Sequence, residues 1–293
     1  MTVASVYTAC ELGSARSAYI LCTVEFRAFV QRADSELDLL EGAVHVARLE
    51  YPALGLSEVS AVLDQIAEPL QQERLALQSP QLQAASLADY LHVRCGFRGN
   101  VTNYHDPENS FVNQVLERKL GIPISLSLVY MEVARRCGVR ARGVGFPGHF
   151  LVRLDGLQER VVIDPFFGGA VLDNAGLARL LERIAPRMPF SEEMLQPVSP
   201  RQMLARMLMN LRGIYGSRAE PGRLLAVLDQ LIDLMPEALD EVRERGLLYA
   251  KLGATQAALA DLEQYLEGMP YAGDADEVRA EITRLREQHR PQN

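Results

Sequence analysis

The feature that most limits what this chain can fold into is positions 124–134, ISLSLVYMEVA, where only Ser125, Ser127 and Glu132 are clearly polar. A helix with so little polar surface has no ordinary solvent face and is predicted to be a domain's central helix, covered on all sides. Pro123 suits its first turn and Gly138 its end. After Gly138 the period becomes strand-like, with β-rich runs at 140–146, 149–154 and 160–164. Asp155-Gly156 is a turn signal between the last two. A hairpin centred between Gly156 and Leu157 puts His149 directly opposite Asp164; centring it one residue earlier leaves them diagonal on one face. A half-step slip would send them to opposite faces.

At 293 residues the expectation is two domains, or one plus an appendage, and 48% apolar content supports packed cores. A net charge of −8 and a pI near 5.3 argue against nucleic acid as the partner. The four cysteines, at 10, 22, 95 and 137, have neither C-x-x-C spacing nor disulfide-scaffold density, which points to a reducing compartment and hence the cytoplasm. Residues 1–30 carry Glu11 and Arg16 around a short apolar run at 18–24, and read as neither signal peptide nor membrane span. No later segment reaches spanning length without charges, so no membrane association is expected.

Along the chain, residues 1–34 form an N-terminal extension without an assigned role. Ser35 and Asp38 resemble a capping box ahead of Leu39, Leu40, Ala43, Val44 and Ala47, and Pro52 ends that helix. Val59, Val62, Leu63, Ile66 and Leu70 repeat at helical spacing, and 82–93 reads as a further helix. Residues 96–113, GFRGNVTNYHDPENSFVN, interleave Phe97, Tyr104 and Phe111 with Gly, Asn, Asp and Pro, as in a loop pinned in place that lines a site. The plainer account is a long turn whose Asn and Asp side chains satisfy their own backbone. His105-Asp106 lacks a second His at i+4 and a Cys cluster, so no metal is expected, and no cofactor motif is present. A short helix at 110–120 precedes the central one, another around 177–184 closes the domain, and Pro186, Pro189, Pro197 and Pro200 mark a linker.

Beyond the prolines the chain repeats with a period of 34: Tyr215 returns as Tyr249, Leu228 as Leu262, Leu231 as Tyr265 and Pro236 as Pro270. The pattern resembles two tetratricopeptide repeats, the second carried by Gly246, Tyr249, Ala258, Leu262, Tyr265 and Pro270. A last helix at 274–288 would be the solvating cap such arrays need.

An apolar helix followed by strands bearing His and Asp is the layout of Cys-His-Asp acyl-transfer enzymes. His149 and Asp164 supply the base and its orienter; a nucleophile is harder to find. Cys137 stands at the carbonyl end of the central helix, where the dipole would raise its pKa, and reads as a small core residue. Cys95 precedes the Gly-rich loop without any requirement to meet His149, and Ser125 and Ser127 read first as helix-start residues. Four longer motifs, CGFRGN at 95–100, DPENSFVNQVLERKLGIPISLSLVYMEVARRCGV at 106–139, PGHFLVR at 147–153 and IDPFFGG at 163–169, resemble the transglutaminase-like core of the bacterial SirB-type family, whose members carry tetratricopeptide repeats after it. The similarity covers roughly residues 35–285.

The resemblance implies an α+β fold: a papain/transglutaminase-like core with a central helix packed on an antiparallel sheet, a helical lead-in, and a C-terminal α-helical repeat domain. In active members of the superfamily the central helix begins with the nucleophilic cysteine. Aligned through Ala134-Arg135 and Gly138-Val139, that cysteine position falls on Pro123, with Ser125 the nearest hydroxyl, while the His and Asp fall on His149 and Asp164. The expected division is 1–34, then 35–190 for lead-in and core, then 200–293 for the repeats. The expected function is non-catalytic binding of a peptide or protein segment in a former substrate cleft lined by Asn103, Tyr104, Asn109, Ser110, Ser125, His149 and Asp164, and on the repeat surface. The alternative is an acyl-transfer or peptidase-type enzyme using Ser125 or a displaced cysteine such as Cys95. The family name also implies a role in gene expression, for which an acidic chain makes direct DNA contact a poor route.

Overall fold

In the computed structural model, residues 14–157 and 159–288 are described, with side chains from Cys22 onward; Cys10 lies outside the described residues. By backbone contacts these residues divide inside one helix, α8 (Pro200–Ser217), into a unit of residues 32–207 and a unit that joins residues 208–288 to the N-terminal residues 14–31.

The first unit begins with three helices, α2 (Leu39–Ala47), α3 (Leu56–Gln71) and α4 (Pro80–Ala88). The start of α2 differs from the expected capping box. Asp38 alone is the cap, its Oδ1 accepting from Glu41 N at 2.8 Å, as a helix-start aspartate does. Residues 34–36 form a separate 3-10 turn. The helix expected over 82–93 runs as α-helix to Ala88 and continues without a break as a π-helical stretch, Asp89–Arg94. Two short parallel strands, β1 (Arg98–Gly99) and β2 (Leu120–Gly121), bracket the Asn-rich loop and α5 (Val112–Arg118).

The central helix, α6 (Pro123–Arg136), follows, with Pro123 at its start and Gly138 at φ 72° just past its end, the usual placing of the two residue types. Every residue from Pro123 to Tyr130 is buried. Its one buried charge, Glu132, is held by Arg136 at 2.5 Å and Arg135 at 2.8 Å. The helix packs on α3, α5, and an antiparallel sheet of β3 (Ala141–Val144), β4 (Leu151–Asp155), β5 (Arg160–Asp164) and β6 (Ala170–Leu172). The sheet's other face buries Val144, Leu151 and Val162 against Leu177, Leu180 and Leu181 of α7 (Asn174–Ile184). With both faces covered, β4 is buried without alternation from Leu151 to Leu154, Arg153 included.

Two further expectations are corrected. Val152 pairs with Ile163 and Arg153 with Val162, which centres the hairpin one residue later than expected; His149 and Asp164 are therefore diagonal rather than directly opposed. The proline-dense segment is no free linker: Leu195 is buried in the sheet's core, Val198 N donates to Gly143 O at 3.0 Å, and Leu195 O accepts from Arg153 Nη1 at 2.9 Å. The prolines end helices, but apolar side chains between them still find a core to enter.

The second unit stacks α9 (Pro221–Leu234), α10 (Leu239–Lys251), α11 (Thr255–Gly268) and α12 (Ala275–Gln288), with the described N-terminal helix α1 (Ser14–Val30) against α9. Arg27 Nε reaches Asp233 at 3.0 Å there. Tyr249, Ala258, Leu262 and Tyr265 fill one core with Val278, Ile282 and Leu285 of the last helix. Gly246 is required by close helix approach, since a Cβ there would meet Asp261 Cβ at 2.9 Å, and only glycine lacks that atom.

Candidate functional site

The site is built where the hairpin leaves the sheet. His149 lies just ahead of β4, in the turn after Gly148, whose φ of 63° and contact with Ile184 leave no room for a side chain, a position that glycine alone fills without strain. Asp164 ends β5 and caps the 3-10 turn Pro165–Phe167, its Oδ1 accepting from Phe166 N at 3.0 Å and Phe167 N at 3.3 Å. Its Oδ2 lies 2.8 Å from His149 Nε2, with the two residues 2% and 7% exposed. The aspartate thus takes three donors at once, which fixes the imidazole's orientation as a base–orienter pair requires. Among the described residues, His149 Nδ1 has no hydrogen-bond partner, and no thiol or hydroxyl reaches the ring.

Aromatic rings surround the pair. Phe167 stacks on His149 at 6.1 Å and Phe166 meets it edge-on at 6.0 Å; Phe166 in turn meets Tyr104 at 5.9 Å, all within the range of favourable ring pairs. Tyr104 is 41% and Phe167 52% exposed, so the row opens outward at both ends. Gly99 is what lets Phe166 sit there: a Cβ would come within 2.5 Å of the ring. Behind the pair, Tyr130 on α6 has a buried hydroxyl without a partner; burial, then the charge of Asp164, drive its pKa well above the phenol range.

The other expected site residues fall in different places. Ser125 Oγ donates to Asn109 O at 2.5 Å and accepts from Ile122 N at 3.0 Å, so its proton is spent on backbone, as a helix-start serine's usually is. Asn109 is fully buried and pins the loop: its Nδ2 donates to Asn103 O at 2.8 Å and Tyr104 O at 3.2 Å, and its Oδ1 accepts from Asn100 Nδ2 at 3.0 Å. This is the self-bonded turn that the plainer account expected. Ser110 is buried beside it with an unpartnered hydroxyl, and Asn103 is at the surface. Of the seven, His149, Asp164 and Tyr104 share the aromatic surface, whereas Asn109, Ser110 and Ser125 form the floor of the loop.

The thiols are equally placed for structure. Cys137 is buried, with burial first and Glu73 second raising its pKa. Cys95 is half-buried, and its N donates to Tyr90 O at 2.9 Å as the π-helical stretch ends. Cys22 belongs to α1. Pro123 occupies the position at the helix start where the resemblance puts the nucleophile.

Sequence reasoning did not single out Phe166, Phe167 or Arg206. The two phenylalanines were legible within the 163–169 motif. Arg206, on α8, has no local signal: its Nη1 donates to Phe146 O at 3.2 Å and its guanidinium lies 5.6 Å from the Phe150 ring centre, across some sixty residues of chain.

Comparison with known proteins accords with this geometry. The profile of the transglutaminase-like superfamily matches residues 57–209, and that of the tetratricopeptide repeat matches residues 211–283. A UPF0162 protein of Xylella fastidiosa (strain Temecula1) is 37% identical, covering 86% of this chain and 91% of its own length. The chain belongs to this SirB-type branch of the transglutaminase-like superfamily. A UPF0162 protein of Pseudomonas aeruginosa is 30% identical over 78% of this chain and 83% of its own. Protein SirB1 of Salmonella typhimurium is 25% identical over 83% and 90%. No solved structure matches the chain. The SirB-type architecture, an α+β core followed by helical repeats, is the one seen here, and repeats of this kind generally mediate protein–protein contact. No described helix is long and apolar enough to cross a membrane.

Proposed function

We propose that this SirB-type chain is a non-catalytic binding protein that holds a peptide or protein segment against the His149 face of its core and on its repeats, in the cytoplasm and without nucleic acid. One observation carries the reading: among the described residues, no thiol or hydroxyl stands within hydrogen-bond reach of His149, the base an acyl-transfer enzyme would use. Pro123 stands where the resemblance puts the nucleophile, and the Ser125 proton is committed to Asn109 O. The net charge of −8 disfavours a polyanion, and the unbridged thiols Cys95 and Cys137 suit a reducing compartment.

Iodoacetamide labelling of the folded chain tests this. Slow labelling that is the same in wild type and His149→Ala is expected; fast labelling that depends on His149 overturns the reading. The acyl-transfer alternative has its own check: Ser125→Ala should leave turnover of acyl esters at the background of wild type, and loss of a measurable wild-type turnover would establish Ser125 as the nucleophile.

A further inference from the structure

The turn that positions His149 carries a second unanswered group. Phe146 O accepts from His149 N at 3.0 Å and also from Arg206 Nη1 at 3.2 Å, so guanidinium and histidine are tied to one carbonyl. Arg206 is half-buried and lies over the Phe150 ring, and Tyr104 is near enough to act on its charge. Among the described residues no carboxylate pairs with it. Burial pushes its pKa below the usual guanidinium value and Tyr104 only partly offsets that. Half-buried arginines are ordinarily paired, because removing a cation from water costs more than one carbonyl returns. Here the neighbouring His149 Nδ1 is unpartnered as well, and the aromatic row that runs from Phe167 on His149 through Phe166 to Tyr104 is exposed at both ends.

We propose that Arg206, beside His149, is the anchor for a single carboxylate side chain of a bound peptide segment, with an adjacent aromatic or large apolar side chain packed on Tyr104 and Phe167. This deepens the binding function proposed above and rests on it. The guanidinium's remaining N–H donors match a carboxylate's two oxygens, and the rings supply the apolar area. A chain of net charge −8 repels a polyanion at long range, so the occupant is a mostly neutral segment with one acid.

The test uses the full chain, immobilised, and two pools of N-acetylated, C-amidated hexapeptides that share a central Phe followed by Glu in one pool and by Gln in the other. Wild type is expected to retain the Phe-Glu pool about ten-fold better than the Phe-Gln pool, and R206Q is expected to lose that margin while keeping the wild-type circular dichroism. Should R206Q not fold, R206K is read instead; it keeps the charge but not the planar fork, and should cut the margin about three-fold or more. Tyr104→Ala should weaken retention of both pools. Equal retention of the two pools by wild type, or an undiminished margin in R206Q, overturns the anchor while leaving peptide binding itself intact. Preferential capture of a Phe-Gln pool with a free C-terminus would assign the carboxylate to a chain end and overturn the side-chain form. Fast His149-dependent iodoacetamide labelling would instead remove the binding reading on which the anchor rests.

Discussion

In the repeat unit Arg245 is clamped by Asp261 at 2.8 Å and Asp229 at 2.7 Å, while in the core unit Arg206, buried to a similar degree, meets one carbonyl and the Phe150 ring. Around Arg245 the charges answer each other: burial pulls its pKa down, yet hydrogen bonding and attraction to Asp261, and then to Asp229, outweigh that pull and raise it. The clamp does not come free, since burial outweighs Arg245 at Asp229 and leaves that carboxyl above its usual range. Arg212 with Glu241 and Glu244, and Arg243 with Asp274, follow the same design. The contrast teaches which polar groups hold a fold together and which are left ready for something else.

The sharpest way to break the comparison is to delete each arginine. Arg245→Met strands the buried Asp261 carboxylate and takes a cation from Asp229, and is expected to cost about 3 kcal/mol in urea unfolding of the full chain; a loss under about 1 kcal/mol would show the clamp to be ornamental. Asp164→Ala removes the acceptor for His149 and two turn amides and should cost about 2 kcal/mol by the same measurement, with loss of the ordered His149 ring resonances. Arg206→Met removes a charge that nothing pairs, so stability should stay within about 1 kcal/mol of wild type or rise. A large loss there would mean that Arg206 is structural after all.

The smallest effect concerns pH. The Tyr265 hydroxyl donates to Asp274 Oδ1 at 2.7 Å, and this bond, ahead of the attraction of Arg243, holds the Asp274 carboxyl below its usual value. A carboxyl lowered on folding stabilises above its unfolded pKa of about 3.9 and loses that contribution as pH falls through the folded value. Tyr265→Phe should therefore lower the unfolding midpoint at pH 7 and differ less from wild type at pH 3. An equal difference at both pH values would remove Asp274 from the account.

Much of the core was readable because its constraints are local or periodic. A run with almost no polar face had to be a central helix, and 124–134 is one; a period of 34 had to place Tyr249, Ala258, Leu262 and Tyr265 in one core, and it does. The pairing of His149 with Asp164 was readable to within one residue of register, because a two-residue change in pairing sum keeps both on one face. Less legible was the loop at 96–113, where the same Asn and Ser residues suit either a site or a self-bonded turn. Asn109 and Ser125 took the turn, since each found backbone partners already within reach.

By itself the sequence determined the helix that must be buried, the strands that follow it, and the repeat. Only the tertiary structure decided which polar groups would go unanswered. Whether Arg206 has a partner depends on what Phe146 and Phe150 bring to it, and groups some sixty residues apart meet only once the chain has folded. Periodicity records which residues leave water; it does not record whom they meet there. That is why His149 and Asp164 could be named in advance, whereas the arginine beside them could not.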